Sequence, residues 1–203
     1  AIVGLLATGG STNHSIHLIA IARMAGVLID WQDMSDLSDV VPLMTRMYPN
    51  GSADVNAFER AGGMPFLIRE LLDAGLLHED VNTVLGHGLR QWCQSPALDN
   101  EGGLTWVPVV AESGDLSVLA PAHAPFLREG GMKLVSGNLG RAIMKVSAVP
   151  DDRWVIEAPA RVFTDQQQVL TAYQSGELNK DVVVVVKGQG PKANGMPELH
   201  QLT

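Results

Sequence analysis

The 203-residue chain is 46% apolar, 18% charged and 5% aromatic, a balance that excludes a disordered chain, a coiled coil and a collagen-like repeat. Fourteen basic against 22 acidic residues leave a net charge of −8, and no Lys/Arg cluster relieves it. A nucleic-acid backbone and an anionic membrane are therefore poor partners, and no apolar run approaches the roughly eighteen residues of a membrane span.

The first residues, Ala1 to Ala7, carry neither an initiator methionine nor a basic leader, and the last stop as a new element begins. Both ends are expected to be cuts within a longer protein. From His14 to Ala25, Ile16, Ile19, Ala20 and Met24 recur at spacings of three and four, which predicts a helix. Ser11, Thr12 or Asn13 is its candidate cap, and Gly26 its left-handed stop. A second helix is expected from about Leu37 to Met47, with Asp33, Ser35 and Asp36 as caps and Pro49-Asn50-Gly51 as the closing turn. Asp54 to Arg60 predicts a short helix broken at Gly62-Gly63. Pro65 then opens Phe66 to Ala74, which Gly75 closes. One more helical stretch is expected from Val81 to Cys93.

Composition changes after Cys93. Pro96, Pro108, Pro121 and Pro125, with Gly102-Gly103 and Gly130-Gly131, predict loops and short strands around a domain boundary. Beyond it, Met144 to Val149, Trp154 to Ile156 and Arg161 to Phe163 are strand candidates. Asp165 to Gln174 reads as a helix capped by Thr164. Val182 to Val186 is a run of valines, the pattern of a strand buried on both faces. A Gly/Pro-rich stretch, Lys187 to Leu199, follows it.

Two stretches have the residue types for chemistry. Gly9-Gly10-Ser11-Thr12-Asn13-His14 heads a helix, where glycines admit a ligand to the backbone and unpaired N–H groups carry partial positive charge. Ser, Thr and Asn add short donors suited to a carboxylate or polyol. An ordinary N-cap explains the same residues. The loop from Lys187 to Glu198 follows a strand, a usual place for a ligand site, although Glu198 also reads as a first-turn surface carboxylate. His14 and His17 share a helix face but lack a third metal ligand nearby. Asp30, Asp33, Asp36 and Asp39 read as caps or a solvated face. Cys93, the single cysteine, excludes an internal disulfide and a thiolate-held cluster of the chain's own, and reads as a small half-buried hydrophobe.

Four stretches in order then carry a resemblance. Ala7-Thr8-Gly9-Gly10-Ser11-Thr12-Asn13-His14, Ala61-Gly62-Gly63-Met64-Pro65, Ser136-Gly137-Asn138-Leu139 and Gly190-Pro191-Lys192-Ala193-Asn194-Gly195-Met196-Pro197-Glu198 resemble the dihydroxyacid and 6-phosphogluconate dehydratase family along essentially the whole chain. His14 and the run Gly137-Asn138-Leu139-Gly140-Arg141 favour the 6-phosphogluconate branch over the branched-chain amino-acid branch.

The resemblance implies loss of water from 6-phospho-D-gluconate to give 2-dehydro-3-deoxy-6-phosphogluconate. It implies an iron–sulfur cluster acting on the departing hydroxyl, with cluster cysteines upstream of Ala1 and the base serine downstream of Thr203, so no catalytic residue is expected within this chain. Glu198 matches the family's Mg²⁺-site glutamate, and Ser11, Thr12 and Asn13 match the substrate-side helix start. His14, Lys192 and Asn194 are candidates for the phosphosugar acid. The implied fold is α/β. Residues 1–119 would form the helical tail of an α/β domain with its linker, and residues 120–203 the first part of a swivelling β/β/α barrel-like domain. A cytoplasmic homodimer completes the expectation. The competing readings are a dehydratase of another sugar acid or of a dihydroxy branched acid, and a non-catalytic ligand-binding module that has kept this scaffold.

Overall fold

The computed structural model describes residues 1–48 and 50–195. Helix and strand are mixed, in short elements. The first helix, α1 (Ile2–Ala7), buries Leu5, Leu6 and Ala7. A glycine turn leads to α2 (Thr12–Met24), capped by Ser11, whose hydroxyl accepts from the Asn13 amide at 3.2 Å. Gly26 closes it with φ +77°, as expected of a left-handed stop.

The helix expected from Leu37 to Met47 lies elsewhere. α3 spans Trp31–Ser38, because Asp30 and Asp33 form a reciprocal capping box one turn earlier. Residues 41–47 are extended instead, since Pro42 cannot continue a helix. This extended run passes through the core. The Met44 amide donates to the Ala7 carbonyl at 2.8 Å, and those of Arg46 and Ala120 exchange bonds with Val118 and Met44 at 2.9 and 2.8 Å.

Next come α4 (Val55–Ala61), capped by Asp54, and α5 (Gly63–Asp73), which begins earlier than the expected Phe66. The predicted helix over Val81 to Cys93 is absent. Gly86 and Gly88 take φ values of +116° and +99°, so the chain folds into a hairpin, β1 (Asn82–Thr83) with β2 (Gly86–His87), and a 3-10 turn at Leu89–Trp92.

The Pro/Gly-rich stretch forms a second hairpin, β3 (Gln94–Leu98) with β4 (Leu104–Pro108). A third pairs β5 (Met132–Gly137) with β6 (Gly140–Lys145), so the strand expected from Met144 to Val149 sits earlier and ends in a 3-10 turn at Val146–Ala148. Trp154 to Ile156 is exposed and forms no strand. Finally β7 (Ala160–Phe163), α6 (Gln166–Gln174) and β8 (Val183–Val186) make a parallel βαβ unit. Asp165, not Thr164, caps α6, its carboxylate accepting from Gln168 N at 2.9 Å. The valine run is not buried on both faces: Val183 and Val184 remain 37% and 39% exposed. Among the described residues β8 pairs with β7 alone, and Val186 packs against the small cluster of Phe163, Val169 and Ala172. A short helix, α7 (Pro191–Asn194), ends the described chain.

The main core joins α1, α4 and α5 to Val41, Met44, Val118, Leu119 and Met132, while Phe163, Val169 and Ala172 form a small second one. Two serines dock β5 on α3. Ser38, fully buried, accepts from Met132 N at 3.0 Å, and Ser35 accepts from Leu134 N at 3.2 Å. Ser38→Ala strands the Met132 amide without a partner and is expected to cost about 1–3 kcal/mol in chemical denaturation. Ser35→Ala, at a half-buried bond, should cost less. Wild-type stability for Ser38→Ala removes this hydroxyl from the docking.

Candidate functional site

The turn between α1 and α2 concentrates the unusual features of the structure. Gly9 is buried with φ +59°, and an added Cβ there lands on the Asn50 amide and 2.7 Å from Leu43 Cδ1. Glycine is required on both counts. The carbonyls of this turn point inward and each is held. Thr45 Oγ1 donates to Thr8 O at 2.8 Å, and Asn50 Nδ2 to Gly9 O at 2.6 Å. Lys145, from the end of β6, donates to Gly9 O at 2.6 Å and to Gly10 O at 3.0 Å. Ser147 Oγ lies 3.4 Å from Asn50 Oδ1 and extends the network into the following 3-10 turn.

With its carbonyls fixed, the turn delivers Ser11 to the start of α2. Ser11 is half-buried and spends its hydroxyl on the Asn13 amide, so it acts first as a cap. Thr12 and His14 are exposed and Asn13 is half-buried. These side chains surround the N-terminal end of a thirteen-residue helix with no acidic residue in its first turn. That end attracts an anion. The half-buried Lys145 ammonium adds positive charge nearby. No carboxylate pairs with it among the described residues, and burial pushes its pKa below the ordinary lysine value. In a chain of net charge −8, an ammonium held only by carbonyls among the described residues stands out.

His14 and His17 open onto a different space, a largely apolar cleft of about 370 Å³ between α1 and α2 that Leu5, Leu18, Ile21 and Met64 also line. Among the described residues no group of three His, Cys, Asp or Glu side chains is placed to hold a metal ion. Cys93 is half-buried and burial raises its thiol pKa, which suits a packing role and not a nucleophile. Lys192 is exposed on α7, and no hydrogen bond or ion pair among the described residues links it to Ser11–His14. Asn194 closes the same helix. Glu198 lies outside the described residues.

The other two motifs have architectural explanations. Gly62 and Gly63, at φ +131° and +59°, turn the corner from α4 into α5. Asn138 and Leu139 are the exposed tip of the β5–β6 hairpin between the paired Gly137 and Gly140.

Comparison with known proteins decides the family. The description "Dihydroxy-acid/6-phosphogluconate dehydratase N-terminal" matches residues 1–92, and its C-terminal counterpart matches residues 117–203. The chain belongs to this family. Proteins named phosphogluconate dehydratase are 57% identical in Zymomonas mobilis over 203 residues and 61% identical in Escherichia coli K12 over 201 residues. These alignments take in 100% and 99% of this chain, and 33% of each relative. A protein named dihydroxy-acid dehydratase from Renibacterium salmoninarum is 36% identical over 209 residues, covering 100% of this chain and 33% of its own length. The chain therefore spans about a third of the relatives it matches. The sequence offers Ser11, Thr12, Asn13 and His14 as candidates, and gives no sign of the Thr45, Asn50 and Lys145 bonds that hold the turn before them. Those three residues lie far from the candidates in sequence and carry no local motif that points back to the turn.

Proposed function

We propose that the full-length protein is a hydro-lyase that dehydrates 6-phospho-D-gluconate to 2-dehydro-3-deoxy-6-phosphogluconate, in the Entner–Doudoroff pathway. The observation that carries this reading is identity of 57–61% along the whole chain to relatives named for that substrate, against 36% to one named for dihydroxy acids. The positive environment at the start of α2 supports an acidic substrate. In this reading Ser11, Thr12, Asn13 and His14 bind the sugar acid, while Lys192 and Asn194 reach its phosphate or a hydroxyl.

Residues 1–119 are proposed as the tail of the α/β domain with its linker, and residues 120–203 as the first part of the swivelling domain. The start of the C-terminal family match at residue 117 supports that division. The described residues do not fit the family's iron–sulfur cluster, having one isolated thiol, so its ligands are assigned to the rest of the protein. Glu198 is proposed as a Mg²⁺ ligand. A cytoplasmic homodimer without nucleic-acid or membrane partners fits the net charge of −8. No helix among the described residues is long and apolar enough to cross a membrane.

The test is an anaerobic assay of the full-length protein on 6-phosphogluconate, gluconate and a dihydroxy branched acid, with Mg²⁺ affinity of Glu198→Gln measured by calorimetry alongside. Turnover confined to the phosphorylated acid is expected, with weakened Mg²⁺ binding in the variant. Turnover of the branched acid instead overturns the substrate assignment, and unchanged Mg²⁺ affinity removes Glu198 from the metal site.

A further inference from the structure

Lys145 lies 135 and 136 residues beyond the two glycines whose carbonyls it holds. It reaches them from β6, an element on the opposite side of the proposed domain division. Its partners are also unusual for a half-buried ammonium. They are neutral carbonyls, not carboxylates, so the charge is neutralised by nothing that the described residues supply. Withdrawing an unneutralised lysine even partly from water costs stability. Lys133, on the paired strand β5 beside Met132, the register partner of Lys145, is placed conventionally. It bridges the carboxylates of Asp39 and of Glu129, the latter at 2.7 Å, and its pKa is raised by them.

We propose that Lys145 is a positioning residue that fixes the Gly9–Gly10 turn, and through it the Ser11–His14 end of α2, to the second half of the protein. Three hydrogen bonds converge on two adjacent carbonyls: one from Asn50 and two from Lys145. Turning either peptide over would break them, so both amide planes are set from outside the turn. Ser11 follows Gly10 directly, and its φ and ψ of −65° and 144° continue from that fixed plane into the helix. Movement of β6 relative to α1 is therefore transmitted to the helix start in part through the Lys145 side chain. The ammonium also contributes to the positive potential there. The functional part of this inference rests on the proposal that the start of α2 binds the substrate.

The experiment uses the full-length protein with Lys145→Met, Lys145→Arg and, as control, Lys133→Met. Steady-state kinetics on 6-phosphogluconate are combined with hydrogen exchange of the amides from Gly9 to His14. Lys145→Met is expected to lower kcat/KM by about tenfold to a hundredfold, mainly through KM, since a small misplacement of binding groups has effects of this size. The turn amides should exchange at least about tenfold faster, while the exchange of α5 stays unchanged. Lys145→Arg can still donate to both carbonyls and should recover most of the loss, which an effect on folding alone does not require. Lys133→Met should leave kinetics and turn exchange as in the wild type. Wild-type kinetics and exchange in Lys145→Met overturn the proposal, as does an equal effect from Lys133→Met. A wild-type protein that dehydrates none of the acids counts against the proposed function. The exchange comparison then still decides the role of Lys145, and Lys145→Arg decides it if the Met variant does not fold.

Discussion

Gly9→Ala is expected to lower stability by about 2–5 kcal/mol and to abolish most activity of the full-length protein. Two independent penalties add. At φ +59° an L-residue pays about 1–3 kcal/mol for its backbone conformation. The new methyl also lands on the Asn50 amide and 2.7 Å from Leu43 Cδ1, overpacking the site unless these side chains shift. Asn50 can move aside only by releasing the Gly9 carbonyl, which is one of the bonds that holds the turn. Gly10→Ala is the informative comparison. Gly10 has no positive φ, and its Cβ meets the end of the Leu5 side chain at 2.5 Å, with His14 Nδ1 at 3.3 Å. A leucine can change rotamer, so the loss should be smaller. The double variant Gly9→Ala/Asn50→Gly should cost less than the sum of its parts, because removing Asn50 relieves the clash but not the backbone strain. Thermal unfolding and kcat/KM measured together check this. A Gly9→Ala protein with wild-type stability refutes the described turn geometry.

Much of the local structure was legible because its causes are local. Ser11 as a cap, Gly26 and Gly75 as stops, the short helix after Asp54 and the βαβ pattern around Gln166–Gln174 all follow from capping chemistry and periodicity. The errors had local causes as well as distant ones. Val41 to Met47 has the apolar content of a helix, but hydrogen bonds to Val118, Ala120 and Leu127 draw it out as a core strand. Val81 to Cys93 has helical spacing, yet its two glycines at positive φ favour a hairpin. The valine run suggested double burial, yet among the described residues Val183 and Val184 stay partly exposed. At the site the same division holds. Ser11 to His14 announce themselves in sequence. Lys145 looks like any strand-end lysine until the fold brings it to Gly9.

The motif Ala61–Pro65 provides the second large effect, and the opposite diagnosis. Phe66 is 1% exposed, packed beneath the α4–α5 corner, and Gly62 is glycine because a Cβ would stand 2.9 Å from that of Phe66. The ring also supports Arg69, whose guanidinium carbon lies 4.7 Å from the ring centroid and whose N–H groups hold the carbonyls of Val110 and Ala111 at 2.5 and 2.9 Å. One side chain thus couples the helix corner to the segment that follows β4. Phe66→Ala is expected to cost about 3–5 kcal/mol, the range for emptying an aromatic site in a packed core. Phe66→Leu keeps most of the volume and should cost less than about 1.5 kcal/mol. Neither change touches the turn at Gly9, so molecules that remain folded should keep their KM for substrate. Activity should fall only in proportion to the folded fraction, read by following turnover against temperature beside the unfolding curve. A raised KM in Phe66→Leu at temperatures where the protein is fully folded sinks this assignment. The two glycine pairs then have separate reasons to exist: Gly9-Gly10 lets the chain be gripped from the far side, and Gly62-Gly63 lets two helices meet over a phenylalanine.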